Sequence, residues 1–138
     1  SEICGKELPD NAGEDSVSFL ASLNGSEQDD KDRGIVVHHS DSGKFAVRKG
    51  KWKLILDKKG GTRRANPKDK PVKYPANVQL FDMERDPSES TNIQHEYSHI
   101  VQELKGDLSR VIQNGRSTPG QPQKNDPVEN WKQLEVLN

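Results

Sequence analysis

The adjacent imidazoles His38-His39 are the sharpest chemical feature of this 138-residue chain. They sit in an apolar, β-branched run, and successive strand residues point to opposite faces. At most one ring can therefore enter a given cleft, and joint chelation of one metal is improbable. The plainer reading has one ring packed or capped and the other solvated; the functional alternative is a ligand-facing imidazole at the strand end. His95 and His99 are spaced for one helical face and could bind a metal together, but no third ligand is evident nearby, so they read as a solvated helix start. Seven cations between Lys58 and Lys73 could attract a sulfate or phosphate, Arg63 and Arg64 with paired donors. A solvated loop is the simpler reading there. Cys4, in Ile3-Cys4-Gly5-Lys6, has no activating partner in the sequence and reads as a half-buried apolar residue. As the only cysteine it excludes an internal disulfide and a cysteine-based zinc site. No phosphate-binding P-loop, dinucleotide glycine motif, zinc-binding H-E-x-x-H or G-x-S-x-G nucleophile elbow occurs, and Gly60-Gly61 reads as a turn. No catalytic residue and no metal ligand is assigned.

Composition narrows the classes further. Lys and Arg number 21 against 22 Asp and Glu, giving a net charge of -1, too little field to hold nucleic acid or an anionic membrane. Aromatic residues, at 5%, are too few for a base-stacking platform. No apolar run approaches the ~20 residues of a bilayer span, and no signal-peptide pattern opens the chain. Starting at Ser1 without Met, the sequence reads as an excised piece of a longer protein. Leu, Ile, Val and Phe are 29 of the 138 residues, barely above the level at which chains stop ordering. A small core between solvated loops is expected.

The elements that must position these residues follow from spacing. Residues 1–25 read as a linker with a short helix, in which Val17, Leu20 and Ala21 share a face and Asn24-Gly25 is the stop. Residues 26–33 lack apolar side chains and read as a solvated loop. Three strand-like runs follow: Ile35 to His39, Phe45 to Arg48 and Trp52 to Leu56. Asp41-Ser42-Gly43 and Lys49-Gly50 are hairpin-sized links, so the runs predict an antiparallel meander. Trp52, Leu54 and Leu56 share one face and Lys53 the other. Asp57 to Asn77 reads as an irregular basic excursion, Val78 to Asp82 as a fourth strand, and Asp86-Pro87-Ser88-Glu89 as a turn. Tyr97, Ile100, Val101, Leu104, Leu108, Val111 and Ile112 recur at helical steps and predict a helix ending at Asn114-Gly115. Its stripe is the expected cover for the sheet. Residues 34–115 thus form an α+β sheet-plus-helix unit, and 116–138 an extended tail whose Val128, Trp131, Leu134 and Leu137 could dock back.

Several segments in order resemble the C-terminal part of bacterial arylsulfatase-type sulfatases of the formylglycine class. They are Leu8-Pro9-Asp10 with Glu14 to Leu20, Val36 to Ser40, Gly43 to Ile55, Gln79 to Met83 with Asp86-Pro87-Ser88-Glu89 and Thr91-Asn92-Ile93, and Gly115 to Gly120. The resemblance implies a four-stranded antiparallel sheet with a long C-terminal helix on one face. It also implies an intact enzyme that hydrolyses sulfate esters with a formylglycine made in C/S-x-P-x-R and a calcium ion, both belonging to a larger N-terminal catalytic domain. Cys4 is followed by Gly5, Lys6, Glu7 and Leu8, so it is not that precursor, and the isolated chain is expected to be inactive. The partners implied are the catalytic domain and a sulfated small molecule or glycan, in a periplasmic or secreted setting. What carries over is that the strand end at His38, His39 and Ser40 lies near the cleft mouth as substrate-cleft candidates. The alternative is a free-standing anion- or protein-binding module; a small metal enzyme built on the histidines ranks below both. An apolar patch on the outer sheet face, at Ala46 and Ile55, would mark a subdomain separated from its parent.

Overall fold

The computed structural model describes residues 1–26, 34–41, 43–57, 77–125 and 132–137. The basic excursion and the acidic loop of the sequence reading fall almost wholly outside these, as do Val128 and Trp131. Four strands, β1 (Val36–His39), β2 (Phe45–Lys49), β3 (Trp52–Ile55) and β4 (Gln79–Asp82), form one antiparallel sheet in sequential order. Val37 opposes Val47, Val47 opposes Leu54, and Leu54 opposes Leu80. Ser40 closes the β1–β2 turn, its amide donating to Lys44 O at 3.0 Å while Gly43 donates to its carbonyl at 2.9 Å. Gly50 takes the positive φ of 52° that the β2–β3 turn needs.

A four-residue helix, α1 (Leu20–Leu23), precedes the sheet, and a 17-residue helix, α2 (Ser98–Asn114), follows it. The predicted stripe lies on the inner sheet face: Val47, Leu54 and Leu80 are fully buried, and Val101, Leu104 and Leu108 close over them. Leu134 and Leu137 dock against this core as expected of the tail. One charge enters the seam. The Asp107 carboxylate, 4% exposed, accepts from Lys49 Nζ at 2.8 Å and from Arg110, so β2 and α2 are joined by a paired rather than an isolated buried ion. Trp52 and Tyr97 stack at 5.0 Å between ring centroids, where α2 begins.

Two expectations are corrected. The outer face does not present Ala46 and Ile55 to solvent: they are 5% and 4% exposed and pack with Phe81, Met83 lying against them. Ala46 opposes Ile55 in the register, and Lys53 stands opposite Phe81 with its ammonium paired to Glu89, so small, branched and ring side chains fill one another's gaps. Apolar exposure lies mostly on the N-terminal segment, at Ile3, Leu8, Val17, Phe19 and Leu23, with Val36 of β1 exposed on the outer face. Cys4 is exposed rather than half-buried: the 3-10 turn Glu2–Cys4 buries none of its residues.

The N-terminal segment is nonetheless tied to the end of α2 by one buried guanidinium. Arg116 Nη1 donates to Asp10 O at 3.1 Å and Gln121 O at 3.0 Å, Nε donates to Thr118 O at 2.9 Å, and Nη2 donates to Thr118 Oγ1 at 3.2 Å. Around it the Ser117 amide donates to Asp15 Oδ1 and the Thr118 amide to Glu14 O. Gly120, at φ 145°, lets the chain pass over this guanidinium; a Cβ there would lie 2.2 Å from Nη1.

Replacing Leu104 or Leu108, each 1% exposed, with Ala should cost about 2–5 kcal/mol in denaturant unfolding; unchanged stability would refute the helix-on-sheet core. Gly120→Ala and Arg116→Ala should each speed amide exchange at Ser117 and Thr118 by about tenfold or more while leaving β3 protected. Equal protection in both variants would show that the guanidinium is not the tie.

Candidate functional site

The three cleft candidates occupy the end of the edge strand. Alternation along β1 places His38 on the outer sheet face with Ala46 and Arg48, and His39 on the inner face beside Phe45. The two imidazoles therefore diverge, as their adjacency in a strand requires. The His39 ring meets Phe45 edge-on at 6.1 Å between centroids, and its Nδ1 lies 2.9 Å from Ser40 O. A carbonyl can only accept, so Nδ1 carries the proton, and in the neutral ring Nε2 keeps its lone pair for a ligand. Ser40 is committed to the turn: its Oγ accepts from the Lys44 amide at 3.2 Å.

A cleft of about 320 Å³ opens beside this strand, within the range of small-molecule pockets. It is bounded by Val37, His39 and Phe45 of the sheet, by Leu108 and Ile112 of α2, and by Asp15. The two sheet edges differ. On β4 the outward groups are closed: Asn92 Oδ1 accepts from the Leu80 amide at 3.0 Å, and the Ile93 amide donates to Leu80 O at 3.0 Å. On β1 the Ser40–Lys44 bond fixes alternation, so the backbone groups of Val37 and His39 point away from β2. No hydrogen bond among the described residues reaches those outward groups. The cleft thus offers donors and acceptors from backbone, the His39 imidazole and an apolar wall.

His38 stands among cations. Loss of hydration lowers its pKa below the ordinary 6.5 most strongly, and the Lys53 ammonium adds to this, with Glu89 opposing and Arg48 reinforcing. The other histidines do not join it: His99 lies on α2 beside the Tyr97 ring and His95 in the turn before it. Among the described residues no three His, Cys, Asp or Glu side chains are placed to hold a metal ion. The turn before α2, read from sequence only as Asp86 to Glu89, is ordered by the Asp86 carboxylate. That group accepts from Ser90 Oγ, Ser88 Oγ and the Thr91 amide, and hydrogen bonding by the Ser90 amide above all, then by the Thr91 amide and the two hydroxyls, lowers its pKa to about 2. Arg116 was missed as an anchor; its only sequence signal was its place in the Gly115 to Gly120 segment.

A histidine whose folded pKa is depressed supports the fold only while neutral. Stability should be full above about pH 6.5 and fall as pH drops below it. His38→Gln should flatten that part of a stability-versus-pH curve, and an unchanged slope would place the titrating group elsewhere.

The comparisons with known proteins agree with this architecture. Residues 31–135 match the family described as the C-terminal region of aryl-sulfatase. The N-acetylgalactosamine-6-O-sulfatase of Bacteroides thetaiotaomicron is 30% identical over 113 residues, covering 75% of this chain and 20% of the relative. A solved Bacteroides thetaiotaomicron sulfatase, from work on the metabolism of multiple glycosaminoglycans, is 25% identical with a TM-score of 0.58, over 80% of this chain and 22% of that one. Ps i-CgsB, 17% identical with a TM-score of 0.51 over 79% of this chain and 21% of that one, shares the fold. The chain spans about a fifth of each relative's length. Its sheet, its covering helix and the match over 31–135 place it in the sulfatase family, as the C-terminal region of an aryl-sulfatase.

Proposed function

We propose that this region serves a sulfate-ester hydrolase as a non-catalytic subdomain that supports the catalytic domain and forms part of the substrate-cleft rim. The family match over 31–135, on a chain that spans a fifth of its relatives, carries this reading. The substrate is a sulfated small molecule or glycan, in line with the relatives' names, and the setting is periplasmic or secreted. On this reading His38, His39 and Ser40 form the rim: this strand end touches the group bearing the sulfate, His39 being the imidazole on the cleft side, and Ser40 holds the turn that positions it. The exposed Ile3, Leu8, Val17, Phe19 and Leu23 are the apolar surface that meets the catalytic domain.

The formylglycine and calcium of this enzyme class would reside in the catalytic domain. Cys4 lacks the C/S-x-P-x-R context of the formylglycine precursor, and among the described residues no three His, Cys, Asp or Glu side chains are placed to hold a metal ion. One observation favours the rival reading of a self-contained binding module, the burial of Ala46 and Ile55 on the outer sheet face.

Aryl-sulfate hydrolysis with calcium decides between them. The 138-residue chain should be inactive, and the longer reading frame containing it, expressed with its maturation enzyme, should turn over substrate. Inactivity of both would move the binding module to first place.

A further inference from the structure

The outer face of the sheet carries an electrostatic conflict. Arg48 and Lys53 stand directly opposite each other in the β2–β3 register. The Leu56 amide donates to Phe45 O at 2.9 Å, which makes 45–56 a bonded pair and, by alternation, makes 48–53 the closer, non-bonded kind. Like charges so placed repel. Lys53 is answered by an ion pair with Glu89. Arg48 is not answered: its Nε donates to Gly50 O at 3.2 Å, and no carboxylate among the described residues pairs with its guanidinium. His38 lies on the same face one strand away, diagonal to Arg48; it is an exposed residue whose ring has lost part of its hydration.

Glu89 is held in place at a cost. Its φ of 55° is the only positive value at a non-glycine residue among those described, in a region that such residues seldom adopt. The Asp86-centred turn that holds it there aims its carboxylate at Lys53. This leaves three cationic or protonatable groups at one corner, His38 and Arg48 exposed and the Lys53 side chain 19% exposed, with Glu89 the carboxylate paired there among the described residues.

We propose that His38, Arg48 and Lys53 form a binding site for an anionic substituent, a sulfate or carboxylate group, carried on a saccharide, with Glu89 competing for Lys53. The inference rests on the reading of the substrate as a sulfated glycan and adds to it a contact away from the ester that is cleaved. The Arg48 fork supplies paired donors to two oxygens, Lys53 a point charge, and His38 a further donor once protonated. An anion at this corner relieves the Arg48–Lys53 repulsion and favours the imidazolium, so binding and protonation of His38 are linked.

The test is a titration of the 138-residue chain followed by NMR of the His38 ring, with N-acetylgalactosamine 6-sulfate, glucuronate, unsulfated N-acetylgalactosamine and inorganic sulfate as separate probes. A saturable shift with a raised His38 pKa is expected from the sulfated sugar or the glucuronate, and the responding probe identifies the anionic group. Arg48→Ala, at an exposed position, should weaken binding by about tenfold, and Glu89→Gln should tighten it by about threefold. The site is overturned if neither anionic sugar saturates, if unsulfated sugar binds equally, or if Arg48→Ala binds like the parent chain. Inorganic sulfate as tight as either anionic sugar would mark an adventitious ion only, and an unchanged Glu89→Gln affinity would remove the competition. A longer protein that hydrolyses aryl sulfates while this chain binds no anion would refute this inference alone. Anion binding without hydrolysis in the longer protein would refute the enzyme reading alone.

Discussion

The contact of α2 with the inner sheet face is the constraint on which the rest of the molecule depends. Val47, Leu54 and Leu80 alternate into that face, and Leu104 and Leu108 return at helical spacing to cover them. The cluster on the other sheet face, Ala46, Ile55 and Phe81 with Met83 against it, is the smaller of the two and does not involve α2. Burial alone does not choose the rotation of a helix on a sheet. The Lys49–Asp107 pair does, because sliding α2 by one residue would carry a buried carboxylate away from its cation. Fixing α2 in turn fixes where Gly115 ends it and where Arg116 meets the N-terminal segment.

From that arrangement follows an asymmetry between the two sheet edges. Asn92 and Ile93 complete the outward hydrogen bonds of β4, so that edge is finished within the chain. Among the described residues no hydrogen bond reaches the outward groups of the β1 edge, which lies beside a cleft walled by the end of α2 and the segment that Arg116 holds. Open edges are normally blunted or covered in stable proteins. Such an edge, beside apolar walls and the His39 imidazole, is where a ligand or a neighbouring domain has something to bind.

The sheet and its covering helix were legible because their signals are local and periodic. β1 to β4 lie within a residue or two of the apolar runs, and α2 begins one residue after the predicted Tyr97. Leu134 and Leu137 docked as their apolar character implied. What stayed hidden depends on contacts between distant residues. Nothing in the pattern around Arg116 shows that Asp10, over a hundred residues away, accepts from it, nor does helical spacing show that Asp107 faces inward. The outer face was misread because alternation tells which face Ala46 and Ile55 occupy, not how Phe81 and Met83 fill in around them. Of the candidate site, the divergence of His38 and His39 was readable from their adjacency; the cation cluster around His38 required the register of three strands.

The central claim is that the end of β1 forms part of the substrate-cleft rim of a sulfate-ester hydrolase. The most direct test is steady-state kinetics of the longer protein on a sulfated glycan with His39→Ala, which removes the imidazole that lines the cleft. A rim contact made equally in ground and transition states predicts KM raised by about three- to tenfold with kcat nearly unchanged. Unaltered KM and kcat would contradict the account.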